Sequence, residues 1–480
     1  MEKLKHCFEC GICTASCPIM EMVPNSYNPR VLLEQILLDL DKVLEKEALW
    51  LCAWCYRCQS RCPQGLKLPE IFWPLKKIAV EQGYLQGFER AYETIGREIP
   101  LPIICSWVCF HPERAEINET TIDQTIQRHV KDYRSKQKTP SKIKTMEEKI
   151  AVIGSGPAGL TVAYEMIRKG YPTTVFESFP EAGGMLRKCI PDFRLPRDAV
   201  DAEIEYLESL GVEIKTNITV GEDITIEDLF HRGYKAVFIA IGTQKSRKLG
   251  IEGEDLKRVF HAVEFLTQAN LGKKVKIGDR VVVIGGGGVA IDVAMTALSL
   301  GAKELQLVCL ESREEMPSHD PEIQEALDKG IVFNFSWGPK RFLRKGDRVV
   351  VELVRCISVF DEDGRFSPSF DETVKKTMKA DSVIVAIGQA SGLSGLEEEI
   401  ETFGGRVVVD PITMETNMPG VFAGGEVVLG PATVVEAIVC GKRAATSIEN
   451  YLETKKIGRT WRRDKNDRES SARKRIRNSG

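Results

Sequence analysis

The sequence predicts a chain of two unlike parts: a small helical, cysteine-rich module in front, then an α/β body built on two strand–glycine-loop–helix units. Three observations predict this. CFECGICTASCP from Cys7 and CAWCYRCQSRCP from Cys52 share the spacing C-x2-C-x2-C-x3-C-P and use eight of the 14 cysteines. KIAVIGSGPAGL, from Lys149, is a short β run, a glycine loop and the start of a helical pattern. The same texture returns in DRVVVIGGGGVAIDVA, from Asp279. Strands alternating with helices in this way predict a parallel sheet in each unit.

Composition narrows the function. The chain has 480 residues, enough for several domains, with 43% hydrophobic and 28% charged residues. A net charge of -3 gives no reason to expect nucleic acid. No apolar run reaches the roughly 18–20 residues that span a bilayer. The N-terminus, MEKLKHCFEC, has no apolar signal core, so the expected location is the cytoplasm. Disulfides are out of place there, and clustered cysteines then mean metal or catalysis.

Taken in order, residues 1–82 form the cysteine module. Between its repeats, Val31, Leu33, Ile36, Leu37, Leu40 and Leu44 fall at three- and four-residue spacings. That predicts one amphipathic helix starting at Asn28-Pro29, with Leu32, Leu33, Ile36 and Leu37 as its packing stripe. A second helix follows Pro69. Residues 83–147 read as a helical connector ending in a polar linker. Residues 456–480 form a strongly basic tail, either solvated or a contact for an acidic partner.

Thiolates at i, i+3 and i+6 on a tight loop reach three corners of an iron–sulfur cube, and the fourth cysteine, before proline, reaches the other cube. This assigns Cys7, Cys10, Cys13 and Cys62 to one 4Fe–4S cluster. Cys52, Cys55, Cys58 and Cys17 take the other. Zinc is the competing metal, but it needs only four ligands and commonly joins two C-x2-C pairs. CFECGICTASCP, YNPRVLLEQILLDL and LWLCAWCYRCQSRCPQGLKLPEI together resemble the small iron–sulfur subunit of heterodisulfide reductases, over about residues 5–82. The resemblance implies an α-helical ferredoxin domain that relays electrons and performs no bond chemistry.

In Gly154-x-Gly156-x-x-Gly159 the first glycine permits the tight turn, the second lets backbone approach a pyrophosphate, and the third packs helix on strand. Pro157 and Ala158 open the helix, whose N-terminus offers N–H groups to phosphate. Glu177 ends the next strand, where an acid binds ribose hydroxyls. The second loop is Gly285-x-Gly287-x-x-Ala290, with Gly288 and Val289 inside it. Two such loops point to a bound flavin and a diffusible nicotinamide.

AVIGSGPAGLTVAYEMIRKGYPTTVFE, AGGMLRKCIPDFRLP, SREEMP and TNMPGVFAGGEVVLGPATVVEAIVCGKRAA resemble the small subunit of glutamate synthase and related NAD(P)H-dependent FAD oxidoreductases, over about residues 95–453. The resemblance implies a two-dinucleotide-binding-domain flavoprotein: a Rossmann-like FAD domain at 148–265 and 391–455, with an NAD(P) domain inserted at 266–390. It places Gly184 near the flavin and Gly425, Glu426 and Thr433 along its ribityl and ring end. Four departures matter. Glu426 stands where relatives carry aspartate. Leu310 and Glu311 replace the two arginines of NADPH-preferring relatives, so NADH is favoured over NADPH, with Arg313 as the remaining argument for a 2′-phosphate. Cys105 and Cys109 persist without their two companions and read as buried remnants. No glutaminase or synthase domain is present.

Cys189 reads as structural, and Cys309, Cys356 and Cys440 as core. His111 and His319 lack metal-ligand spacing. The function expected is electron transfer from NAD(P)H through FAD and two 4Fe–4S clusters to another redox enzyme subunit or a ferredoxin, within a hetero-oligomeric complex. Either direction is allowed, and both resemblances motivate electron bifurcation. No catalytic residue is expected, because hydride passage needs no side-chain acid or base. The rivals are a flavin-dependent thiol–disulfide reductase and a non-catalytic assembly subunit.

Overall fold

The computed structural model describes residues 7–110, 145–393 and 395–477, the side chains beyond Lys455 excepted. His111 and the linker up to residue 144 lie outside the described residues. Two five-stranded parallel sheets carry the α/β body. The first runs, in spatial order, Val421–Ala423, Tyr234–Ile239, Lys149–Ile153, Thr173–Phe176 and Glu213–Lys215. The second runs Val259–His261, Ser382–Val385, Arg280–Ile284, Glu304–Val308 and Val332–Asn334. In both, the strand feeding the glycine loop is central. Its residues are buried on both faces: Ile150 to Ile153 and Val281 to Ile284 are at most 3% exposed. That is why these strands read as unbroken apolar runs.

The second unit starts earlier than residue 266. Val259–His261 pairs in parallel register with Ser382–Val385, so this strand belongs to the second sheet. The two crossings between units lie side by side, Lys245–Ser246 pairing antiparallel with Gln389–Ala390. A three-stranded antiparallel sheet, Trp337–Lys345, Arg348–Phe360 and Phe366–Ala380, was not anticipated. Its inner residues Phe342, Val349, Val351 and Leu353 share a core with Val282, Ile284 and Val308.

The front module is helical, as the spacing predicts, with one correction. The helix Pro29–Leu38 starts at Asn28, whose side chain accepts from Arg30 N and Val31 N, but it stops at Asp39. There the backbone turns extended (φ -158°, ψ 90°), and Asp39 caps a new short helix, Leu40–Leu44. A side chain that bonds its neighbours' backbone competes with the helix at that point. Leu32, Leu33 and Ile36 are buried, but Leu37 is 45% exposed. The second helix, Leu68–Glu81, begins one residue before Pro69 and tolerates Pro74. Helices Gln86–Glu98 and Pro102–Val108 follow.

The module is no separate bead. One apolar core runs from Ile19 and Phe72 through Ile103 and Ile104 to Val200 and Ile204 of the first α/β unit. Glu203, 1% exposed, accepts the Ile103 N–H at 2.9 Å across that boundary. Cys105 and Cys109 lie buried in the same core. The helix that starts at Val434 runs to Arg477, so residues 456–477 of the basic tail continue it.

Candidate functional site

The two thiol loops share a backbone device. Around the second cysteine of each repeat, the flanking residues are left-handed: Glu9 (φ 52°) and Gly11 (φ 75°) in the first, Trp54 (φ 57°) and Tyr56 (φ 53°) in the second. Three of these four are not glycine, a strain found where function requires it. The turns gather three thiols of each loop around a common space. One cavity is lined by Cys7, Cys10, Cys13, Cys62 and also Cys58. Another is lined by Cys17, Cys52, Cys55 and Cys58. The fourth cysteine of each repeat therefore lies with the other repeat's triplet. Among the described residues no three His, Cys, Asp or Glu side chains converge on one ion-sized point. Four or more thiols lining each cavity are a donor set that fits an iron–sulfur cube.

Burial pushes the Cys17 thiol up to about 12 and those of Cys55 and Cys58 higher still. A buried thiol is neutral until metal takes its proton's place. Tyr27, fully buried, lines the second cavity, and its hydroxyl bonds the Cys52 thiol. The sequence reading missed Tyr27, since nothing in its spacing ties it to the repeats.

Both glycine loops are built alike. A Cβ on Gly154 would sit 2.5 Å from the Ala240 carbonyl oxygen, and one on Gly285 would sit 2.2 Å from that of Ala386. In each unit, the first glycine therefore passes hard against the end of a neighbouring strand. The second glycines, Gly156 and Gly287, meet no protein atom within 4 Å of such a Cβ. They face open space, as close approach by a ligand requires. A Cβ on Gly159 would lie 2.0 Å from the Gly154 carbonyl, whereas Ala290 fits, fully buried.

A cavity of about 540 Å³ opens above the first loop. Its lining includes Gly154, Gly156, Pro157, Ala158, Glu177, Gly184, Gly425, Glu426 and Thr433. Gly159 lies beneath them in the helix. Glu177 accepts from Ser155 N at 3.0 Å and Phe179 N at 2.9 Å, which aims the carboxylate across the loop. Glu426 is held at both oxygens, by Ala432 N at 3.2 Å and Thr243 Oγ1 at 3.1 Å. Burial raises its pKa. Val289 and Asp292, from the helix after the second glycine loop, reach the same cavity wall. Asp292 pairs there with Arg194 of the first unit, so the helix after the second loop borders this cavity, whose lining does not include Gly285 or Gly287 themselves.

Cys189 is the one cysteine lining this cavity among the described residues. Its thiol faces Val263 O and Thr267 Oγ1, not another thiol, and burial pushes it up to about 12. Cys309, Cys356 and Cys440 are buried, as expected. At the second loop, Glu311 folds over Gly286: a Cβ there would lie 2.9 Å from Glu311 Oε2. Arg313 instead pairs with Asp320 at 2.8 Å.

The thiol loops reach the cavity through the last helix. Thr433 and Glu436 form a capping box at its start, Thr433 N and Oγ1 donating to Glu436 Oε2 at 2.9 and 2.8 Å. The other oxygen of Glu436 takes Arg57 Nη1 at 2.5 Å, and Arg57 lies between Cys55 and Cys58. Arg443 of the same helix grips Glu21 of the module at 2.5 Å.

A glycine loop on a large cavity, a second glycine loop of the same build whose helix borders it, and a thiol loop pinned to the helix that Thr433 caps at the cavity wall fit a pyridine-nucleotide flavoprotein that carries an iron–sulfur module. The chain belongs to the pyridine nucleotide-disulphide oxidoreductase family, whose model matches residues 148–441; a 4Fe-4S dicluster domain matches residues 3–66. It is 37% identical to the NADP(+)-dependent formate dehydrogenase subunit beta of Moorella thermoacetica, over 82% of this chain and 60% of that one. It thus spans about three fifths of that relative's length. It is 31% identical to the glutamate synthase [NADPH] small chain of Escherichia coli (strain K12), over 82% of this chain and 88% of that one. Among solved structures, FprA of Mycobacterium tuberculosis in complex with NADPH shares the fold, with a TM-score of 0.56 at 20% identity, covering 65% of this chain and 86% of that one. Among the described residues no helix is long and apolar enough to cross a membrane.

Proposed function

We propose that this chain is an electron-transfer subunit that moves electrons between NAD(P)H and a partner protein by way of FAD and two 4Fe–4S clusters. One observation carries the reading: the second thiol loop is pinned through Arg57 to Glu436, in the first turn of the helix whose cap, Thr433, lines the flavin cavity. Bound FAD supplies exchange between electron pairs and single electrons, and bound clusters supply one-electron sites. The chain's own part is positional. Gly156 and Gly287 admit the two pyrophosphates, Glu177 offers a carboxylate to a ribose, and the Arg194–Asp292 pair holds the second unit against the flavin cavity. Cys17, Cys52, Cys55 and Cys58 form the near thiol site, and Cys7, Cys10, Cys13 and Cys62 the far one. Cys10 is exposed, which gives the far site its outlet to a partner. A redox enzyme subunit or a ferredoxin fits that role, and both relatives are named as subunits or chains. None of the 14 cysteines is tied up in a disulfide, so the eight of the two repeats are available as cluster ligands.

Anaerobic mixing of the isolated full chain with NADH tests this. Flavin absorbance should fall first, and the electron spin resonance of reduced clusters should follow. A chain that holds zinc, or no inorganic sulfide, would end the reading. Rapid flavin bleaching excludes a purely structural subunit. A thiol–disulfide reductase needs a dithiol at the flavin, and Cys189 lacks a thiol partner there. The two thiol sites lie in series, with Cys58 lining both cavities, so within this chain they form one exit. Bifurcation therefore needs a second acceptor at the flavin from a partner subunit.

Two substitutions refine the reading. Arg57→Met removes a part-exposed ion pair that contributes on the order of 1 kcal/mol to seating the loop. Cluster reduction should then lag further behind flavin bleaching, while bleaching itself stays at the wild-type rate. An unchanged lag would count against the seating role. The named nucleotides of the two relatives are NADP(+) and NADPH. Glu311 is the reason to favour NADH here, since a carboxylate over the glycine loop repels a 2′-phosphate and accepts from a free ribose hydroxyl. Glu311→Arg is expected to shift kcat/KM toward NADPH by about tenfold or more. Equal use of both nucleotides before and after would refute the assignment.

A further inference from the structure

The segment between the strand Glu304–Val308 and the helix Asp320–Asp328 faces two ways. Toward the second glycine loop it presents Glu311, folded over Gly286, and Ser318, whose hydroxyl donates to the Gly286 carbonyl at 2.8 Å. Toward the front module it presents His319 and Asp320. The His319 ring stacks on that of Tyr56, with centroids 3.7 Å apart and planes 12° from parallel. Tyr56 belongs to the second thiol loop.

Asp320 joins the two sides. Its Oδ1 takes Arg313 Nη1 at 2.8 Å, and its Oδ2 takes Lys67 Nζ of the front module at 3.4 Å. As the first residue of its helix it also meets the positive end of the helix dipole. The Arg313 bond, then Lys67, holds its carboxyl below the usual aspartate range. Arg313 is the cation that a 2′-phosphate would seek on this segment, two residues past Glu311. In the structure its guanidinium is already committed to a carboxylate, so a phosphate must displace Asp320 to gain it.

We propose that Asp320, steadied from the front module by Lys67, is a specificity-determining residue: it withholds Arg313 from a 2′-phosphate and so biases the second dinucleotide site toward the unphosphorylated ribose. This rests on the reading of the Glu311 segment as the ribose end of that site. It also makes nucleotide choice depend on a contact with the iron–sulfur module, which the isolated α/β body would lack.

The test uses the full-length holoprotein with wild type, Asp320→Asn, Lys67→Met, and Asp320→Asn combined with Arg313→Met. Two readouts run side by side: kcat/KM for NADPH and NADH with ferricyanide as acceptor, and equilibrium binding of 2′-phospho-ADP-ribose and ADP-ribose. Asp320→Asn should raise the NADPH-to-NADH ratio, and the matching binding ratio, by about tenfold, the worth of one charge-assisted hydrogen bond. Lys67→Met should give a smaller rise in the same direction. The double variant should return to the wild-type ratio, since the freed guanidinium is gone. A ratio unchanged or lowered by Asp320→Asn overturns the proposal, the lowered case meaning that Asp320 orients Arg313 for phosphate. Equal weakening of both ligands also overturns it, as a merely structural role. A wild type that prefers NADPH would refute the Glu311 reading alone, and the response to Asp320→Asn would still decide the inference.

Discussion

Cys17→Ser is expected to stop electrons from NADH reaching either cluster, although Cys17 belongs by sequence to the first repeat. Its thiol lines the cavity of the second repeat with Cys52, Cys55 and Cys58. That site is the one pinned through Arg57 to Glu436, on the helix whose cap Thr433 lines the large cavity. Loss of one thiolate of four should remove the near cluster, halve iron and sulfide, and leave the far cluster present but unreduced by NADH. Cys62→Ser should be the mirror case. Its thiol lines the cavity of the first repeat, so the far cluster is lost and the near one still reduces. Iron and sulfide counts with spin resonance after NADH and after dithionite separate the two variants. If Cys17→Ser spares reduction of the near cluster, the crossed assignment is wrong.

The second large effect is at the first glycine loop. Gly156→Ala and Gly159→Ala differ by three positions and should fail differently. A Cβ at Gly156 meets no protein atom within 4 Å, so the fold tolerates it and only a pyrophosphate is obstructed. A Cβ at Gly159 lies 2.0 Å from the Gly154 carbonyl oxygen and 3.2 Å from Val152 Cγ1. Both are parts of the central strand and its loop, which cannot yield without moving the sheet. Overpacking of that kind costs roughly 1–3 kcal/mol or more. Gly159→Ala should therefore purify with little flavin and melt several degrees lower even when compared as flavin-free protein. Gly156→Ala should lose flavin at an unchanged flavin-free melting temperature. Matching melting temperatures for the two variants would refute the distinction.

Some of this site was legible because its geometry is local. Spacings of three residues in C-x2-C-x2-C set which thiols share a loop, and the left-handed turns at Glu9, Gly11, Trp54 and Tyr56 realise that spacing. The glycine loops were legible for the same reason: strand, turn and helix follow one another within a dozen residues. The fourth cysteine of each repeat lines the cavity of the other triplet, Cys62 with Cys7, Cys10 and Cys13 and Cys17 with Cys52, Cys55 and Cys58, which is the arrangement the spacing leads one to expect. The helix break at Asp39 was not. Its apolar spacing continues past the break, and only the aspartate's competition for backbone N–H groups reveals the stop.

By itself, then, the order of residues determined the parts: two thiol loops, two dinucleotide loops, and the parallel sheets that present them. It could do so because each is specified by neighbours a few positions apart. Tertiary structure alone decided how the parts meet: Arg57 on Glu436, Asp292 on Arg194, and Asp320 shared between Arg313 and Lys67. Those pairs join residues separated by as many as 379 positions. Their partners are chosen by how the apolar core brings surfaces together, and no local spacing encodes that choice.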